Sequence, residues 1–177
     1  MRTVIRGPMF SGKTSMLNSI SEEFERNGER VLFVTHCTDY RTEDSSIRTH
    51  TGRFILNCIR VPNLQVILSM VGDYSICLID EVQFFTDAVA FLHRTRSFKD
   101  LKLFFSGLNY DVHRRPFPVT YTLSLLCDQV ITLRSRCYKC TSDAEYTVFE
   151  GNNTDAGDGN FIHVGTEGYK AICGSCF

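Results

Sequence analysis

The sequence predicts an α/β protein: a parallel sheet carrying a phosphate-binding loop, followed by a small cysteine-bearing unit. Three observations predict it. Short apolar runs alternate with helix-period stretches from Met1 to Leu133. Residues 7–14 read Gly-Pro-Met-Phe-Ser-Gly-Lys-Thr, which fits G-x-x-x-x-G-K-[ST] directly after the apolar pair Val4-Ile5. Four of the eight cysteines fall in two C-x-x-C pairs late in the chain.

Met1 to Arg6 reads as the first strand, feeding the glycine-bearing turn. Lys13 to Asn27 reads as a helix, with Met16, Leu17, Ile20 and Phe24 at helical spacing and Gly28 where a C-terminal cap belongs. Val31 to Val34 is a continuous apolar run, as expected of a strand covered on both faces. Residues 36–53 are polar and read as loop, and a weaker strand and helix are expected over 54–71. Ile76 to Ile79 is a second buried strand, and Thr86 to Phe98 a helix. Leu101 to Phe105 is a third buried strand, Val119 to Cys127 a helix, and Val130 to Leu133 the last central strand. Residues 151–160 are glycine-rich, polar and acidic, and read as a flexible loop.

Composition narrows the function classes. A chain of 177 residues with 43% hydrophobic content builds one main domain with room for an appendage. Nineteen basic and twenty acidic residues nearly cancel, which argues against a protein built to coat nucleic acid. No apolar stretch reaches membrane-spanning length. Gly7 arrives too early for a targeting segment to precede it, so a cytoplasmic, reducing location is expected.

The chemistry begins at the loop Gly7, Pro8, Met9, Phe10, Ser11, Gly12, Lys13, Thr14. Backbone N–H groups of such a loop cradle phosphate oxygens at a helix N-terminus. Lys13 brings positive charge to the β- and γ-phosphates, and the Thr14 hydroxyl reaches Mg²⁺. Ile76-Cys77-Leu78-Ile79-Asp80-Glu81 is the companion that such a loop needs. Asp80 at the strand end suits the Mg²⁺ shell, and Glu81, beside the γ-phosphate, suits accepting a proton from an alcohol or polarising a water. The blander alternative is an acidic pair opening the next helix. Residues 107–117 follow the third buried strand, mixing aromatics, arginines and proline. They suit a wall for an aromatic substrate, although an ordinary exposed loop has the same composition.

Cys37, Cys58, Cys77 and Cys127 lie singly in or beside apolar runs and read as core filling. Cys137, Cys140, Cys173 and Cys176 form two knuckles able to place four thiolates around Zn²⁺, leaving no open catalytic position. Two unrelated redox pairs are the alternative. The insert between Cys140 and Cys173 is longer than a compact zinc ribbon requires.

Taken together, GPMFSGKT, IDEVQFF, the GL-x5-R-x-PF loop and the late knuckles resemble the type II thymidine kinases, from Thr3 to Phe177. The resemblance implies a RecA-like phosphate-loop domain over 1–135 and a zinc-binding domain over 136–177. The latter would project a lasso loop over the nucleoside. It implies transfer of the γ-phosphate of ATP to the 5′-hydroxyl of thymidine or deoxyuridine, for pyrimidine salvage. Glu81 would be the catalytic base, and Asp39 and Arg41 would lie near the phosphates. Phe161, Ile162, His163, Val164 and Gly165 would grip the base through their backbone, and Tyr169 would hold the sugar. Phe84, Leu108 and Phe117 would line the pocket. ATP, Mg²⁺ and structural Zn²⁺ are the implied cofactors, dTTP the feedback inhibitor, and a homotetramer the assembly, with neither nucleic acid nor membrane as partner.

The chain departs from the family pattern at three places. Asn109 stands where Asp is usual, Val112 where a pocket Phe is usual, and Thr49-His50-Thr51 where Thr-His-Asp is frequent. These bear on substrate breadth. Asn109 and Val112 also keep open one rival, a nucleotide-binding regulator without catalysis; a second, a RecA-like ATPase acting on nucleic acid, has the near-neutral charge against it.

Overall fold

The computed structural model describes residues 1–38, 47–48, 54–55, 58–150 and 167–177. Its centre is a six-stranded, wholly parallel sheet. The strands are β1 (Arg2–Gly7), β2 (Val31–His36), β5 (Cys58–Val61), β6 (Ile76–Ile79), β7 (Lys102–Leu108) and β8 (Gln129–Thr132), in the order β5-β2-β6-β7-β1-β8. Between β2 and β5 lies a short antiparallel pair, β3 (Ile47–Arg48) and β4 (Phe54–Ile55). β7 is inserted between the strand that feeds the phosphate loop and the strand that ends at Asp80. The C-terminal ends of β1, β6 and β7 therefore open onto one edge, where α/β proteins bind ligands.

Side chains alternate across a strand, so the two faces of the sheet can be read residue by residue. Val4, Leu32, Val34, Cys77, Ile79, Leu103 and Phe105 pack in one buried cluster. That cluster also takes Phe91 and Leu92 of α2 (Ala88–Arg94) and Leu123 of α3 (Pro118–Leu126). Ile5, Phe33, Ile76, Leu78 and Phe104 face the other way, onto Leu17 of α1 (Lys13–Arg26). Continuous apolar strands thus lie covered on both sides, as the Val31 to Val34 and Ile76 to Ile79 runs predict. α1 closes with the Gly28 N–H donating to the Glu25 carbonyl and the Glu29 N–H to the Phe24 carbonyl, both at 3.0 Å. This is the paired closure of a Schellman cap, with Gly28 at φ 77°.

Several expectations are corrected. The helix expected over 86–98 is only α2, followed by a 3₁₀ turn at Thr95–Ser97. Buried Thr95 explains the break: its hydroxyl donates to the carbonyls of Phe91 and Leu92 at 2.8 and 3.1 Å, and such local bonds compete with helix continuation. The stretch 54–71 holds β4, β5 and a 3₁₀ turn at Leu64–Ile67 rather than a strand and a helix. Pro62 stops β5 because it fixes φ and offers no N–H. Cys37 is exposed, not core, because it lies one residue beyond the end of β2. Cys58 and Cys77 are buried as expected, and Cys127 is half-buried.

After β8 come two small antiparallel pairs, β9 (Ser135–Arg136) with β10 (Asp143–Ala144), and β11 (Tyr146–Phe149) with β12 (Tyr169–Ile172). They enclose a separate cluster of Cys137, Ala144, Ala171, Ile172 and Cys173. Among the described residues no helix is long and apolar enough to cross a membrane.

Candidate active site and cysteine centre

The phosphate loop is bent by necessity. A Cβ on Gly7 would lie 2.5 Å from the Leu133 carbonyl oxygen and 2.7 Å from Ser11 Oγ, so only glycine lets β1 leave the sheet here. Phe10 and Gly12 both adopt positive φ, at 63° and 83°. Gly12 opens α1 with no capping side chain and no acidic residue in the first turn, leaving a helix N-terminus suited to an anion. Lys13 is buried, and its ammonium donates to the Pro8 carbonyl at 2.7 Å.

The loop and the end of β6 meet directly. Thr14 Oγ1 donates to Asp80 Oδ2 at 2.7 Å, and Asp80 is almost wholly buried. Asp80 Oδ1 accepts the Glu81 N–H at 2.9 Å. One hydroxyl and one carboxylate side by side form the oxygen donor set that Mg²⁺ prefers, and the residues fit that ion. Glu81 sits in the left-handed region, at φ 53° and ψ 42°, before a 3₁₀ turn at Val82–Phe84. Such a conformation costs about 1–3 kcal/mol for a residue with a Cβ and clusters at functional sites. The Glu81 carboxylate accepts a 2.5 Å bond from Gln83 Nε2.

Residues 107–117 form a self-closed loop on the same edge. Asp111 accepts the N–H groups of His113 and Arg115, each at 2.8 Å, and the Arg115 guanidinium at 2.7 Å. Partial burial works to raise the Asp111 carboxyl. The Arg115 N–H, its guanidinium and the His113 N–H outweigh that and hold it below the usual carboxylate range. The Phe117 N–H donates to the Asn109 carbonyl, closing the base of the loop. Phe84, Leu108, Phe117 and Tyr169 are all half-buried. The Phe84 ring lies 5.8 Å from the His36 ring, and Tyr169 packs on Phe149 at 5.0 Å.

The four paired cysteines converge. Their sulfurs all lie within 4.8 Å of one another, and Cys140 and Cys173 are 3.6 Å apart. Tetrahedral Zn–S bonds of 2.3 Å place sulfurs about 3.8 Å apart, so the set fits zinc. The thiols do not titrate alike. Burial acts to raise the Cys137 thiol, but the backbone N–H groups of Cys173, Cys140 and Lys139 bring it down to about 6. Bonding to Ser142 lowers Cys140, whereas bonding to Cys140 and Cys173 pushes Cys176 up to about 12. Thiols packed this closely ionise together only around a cation.

The cysteine unit also touches the phosphate loop, which sequence reading missed. The Met9 N–H donates to Thr147 Oγ1 of β11 at 3.0 Å, and Ser135 Oγ of β9 donates to the Phe10 carbonyl at 3.2 Å. Asn109 Nδ2 donates to the Glu145 carbonyl at 3.1 Å, and the Arg114 guanidinium lies 3.6 Å from the Phe177 ring centre. Buried Thr147 sits in an alternating Tyr-Thr-Val-Phe strand, where a polar residue on the inward face was the one available signal. Asp39, Arg41 and residues 161–165 lie outside the described residues, as do 151–160 and Thr49-His50-Thr51.

A glycine-bent loop opening a helix, bonded to a carboxylate at the end of a neighbouring parallel strand, defines a phosphate-loop nucleotide-binding protein. The flagellar accessory protein FlaH of Methanocaldococcus jannaschii shares the fold, with a TM-score of 0.51 at 14% identity over 74% of this chain and 70% of that one. A family model described as thymidine kinase matches residues 2–177. The thymidine kinase of Fowlpox virus is 33% identical, over 98% of this chain and 94% of its own length. Those of Mycoplasma mobile and Pyrobaculum aerophilum are 31% and 29% identical, each over 98% of this chain and over 84% and 96% of their own lengths. The chain belongs to the thymidine kinase family.

Proposed function

We propose that the protein transfers the γ-phosphate of ATP to the 5′-hydroxyl of thymidine, with deoxyuridine also accepted. The observation that carries this reading is the Thr14–Asp80 bond, which joins phosphate loop and strand end in a chain matched to the family from residue 2 to 177. Gly7 to Thr14 bind the triphosphate, with Lys13 neutralising charge on the β- and γ-phosphates. Thr14 and Asp80 would hold Mg²⁺, which supplies further neutralisation of the transferring phosphoryl group when bound. Glu81 takes the proton of the 5′-hydroxyl as the new P–O bond forms and the bond to ADP breaks.

The residues that select the nucleoside come from both units. Phe84, Leu108 and Phe117 line one side. Residues 161–165 offer backbone groups to O2, N3 and O4 of the pyrimidine, and Tyr169 holds the sugar. Cytosine mismatches donors and acceptors at that edge, and each buried group left unpaired costs about 1–3 kcal/mol. Asp39 and Arg41 are assigned here to binding the phosphates. In this reading residues 1–135 form the kinase domain and 136–177 the lasso domain, tied by structural zinc on Cys137, Cys140, Cys173 and Cys176. Pyrimidine salvage in the cytoplasm, homotetramer assembly and feedback by dTTP belong to the same proposal. Incubation with Mg-ATP and each deoxynucleoside in turn tests it. Thymidine should give the most 5′-monophosphate; deoxyadenosine or deoxyguanosine as the best acceptor would refute the pocket.

A further inference from the structure

Gln83 is a buried amide in an otherwise apolar turn, and the phosphoryl-transfer scheme above leaves it without a task. Both ends of its side chain are engaged. Nε2 donates to Glu81 Oε2 at 2.5 Å, and Oε1 accepts the Leu108 N–H at 3.1 Å. The orientation of the amide is fixed by its partners, since a carboxylate only accepts and a backbone N–H only donates. One amide therefore spans from the end of β6 to the end of β7.

The surroundings are shaped to let it do so. A Cβ on Gly107 would lie 2.7 Å from Gln83 Oε1, 2.8 Å from Val82 Cγ1 and 3.1 Å from Thr120 Oγ1. Glycine at 107 is what leaves room for the amide beside β7. Glu81 itself stands in a left-handed backbone conformation that neighbours must hold in place. A carboxylate on a strained turn has several rotamers open to it, and a short bond from a buried, doubly anchored donor selects one.

We infer that Gln83 is a positioning residue. It fixes the Glu81 carboxylate and couples that fix to the Leu108 N–H, where the 107–117 loop begins. The inference rests on the reading of Glu81 as the base of a thymidine kinase. Misplacing a base by about 1 Å is worth up to about 10²-fold in rate. Transition-state alignment, not ground-state binding, is what Gln83 supplies.

The test is steady-state kinetics of thymidine phosphorylation by the full chain and by Gln83→Met, Gln83→Glu, Glu81→Gln and the double variant Glu81→Gln/Gln83→Met. Gln83→Met keeps length and volume and removes both polar ends. We expect its kcat to fall about 10–100-fold, with KM for ATP and for thymidine within about threefold. Gln83→Glu keeps an acceptor for Leu108 but sets a second carboxylate against Glu81, which displaces or protonates the base. Its kcat should fall at least as far. The double variant should be no more than about twofold slower than Glu81→Gln alone, because both changes remove one function.

Near-parental kcat in Gln83→Met would overturn the inference. So would a rise in thymidine KM alone, which would make Gln83 a loop support, or a double variant slowed by the product of the single effects. Loss of cooperative melting in both Gln83 variants would assign the residue to folding instead. If the parent chain phosphorylates no nucleoside, the kinase reading itself fails. If the parent is active and Gln83→Met is too, only the positioning role does.

Discussion

In the sheet, Val4, Ile5, Ile76, Leu78, Ile79, Leu103 and Phe105 are all fully buried, and helices cover both faces. Among the described residues of the cysteine unit the buried hydrophobic cluster is Cys137, Ala144, Ala171, Ile172 and Cys173, with Ile172 its largest aliphatic side chain. Full burial of a large aliphatic side chain is worth about 1.5–3 kcal/mol. The sheet collects many such contributions, whereas the described residues of the cysteine unit supply few. The two regions therefore differ in what their described residues offer: apolar burial in the sheet, four convergent sulfurs in the cysteine unit.

Breaking the weaker region should have the largest effect. Cys173→Ser should abolish the single Zn²⁺ per chain, read by metal analysis, and remove nucleoside phosphorylation. Structural zinc contributes about 10–16 kcal/mol in small zinc-dependent folds. Nucleoside affinity should fall more than ATP affinity, while the sheet retains its cooperative melt. A metal-free parent protein, or a Cys137–Cys140 disulfide in fresh material, would remove the premise.

The next two changes act at the sheet edge without unfolding either region. Glu81→Gln should lower turnover about 10²–10⁴-fold with ATP and thymidine affinities little changed. Full activity in that variant would remove Glu81 from the chemistry. Lys13→Ala should instead weaken triphosphate binding as well as turnover, because the charge acts on the bound phosphates in ground and transition states alike. Titration of an ATP analogue separates the two.

A smaller effect should appear where the regions touch. Thr147→Val keeps the shape of a buried strand residue but leaves the Met9 N–H without its acceptor. The bond is part-buried, so its loss should cost about 1 kcal/mol, the low end for an unpaired N–H. KM for ATP should rise, with thymidine KM steadier. A change confined to thymidine would mean that the contact supports the nucleoside side instead.

The smallest effect concerns Asp111. Its carboxyl is held below its ordinary value of 3.8 in the folded protein. A depressed carboxyl stabilises the fold above the unfolded value and loses that contribution as pH falls through the folded one. The Tm gap between parent and Asp111→Asn should thus be full near neutrality and close below about pH 4. Arg115 is largely exposed, so solvent screening keeps the gap small. A gap that persists at pH 2 would point to turn geometry rather than charge.

Much of this was legible in the residues. Apolar runs located β2, β6 and β7 because strands buried on both faces carry an unbroken apolar signature. The Gly7 to Thr14 loop meets Asp80, and the two cysteine pairs converge, as their motifs lead one to expect. The misses have local causes. Thr95 ends α2 through a side-chain bond invisible to periodicity. Cys37 falls one residue past β2, too short a distance for composition to resolve. The contacts of Met9 with Thr147 and of Gln83 with Leu108 join residues 138 and 25 positions apart, and single-sequence patterns say nothing about such pairs.

The position of β1 has a consequence for how the protein is made. Val4 pairs with Phe105 on one side and with Val130 on the other. β1 is therefore completed by partners synthesised long after it, the second of them 126 residues later. At about 5–20 residues per second that is a wait of roughly 6–25 s. For most of that interval, until β7 has been made, the apolar strand β1 and the loop after it have no neighbouring strand to join. Nascent chains cut short before residue 102 should be captured by chaperones, and those reaching past 132 should escape them.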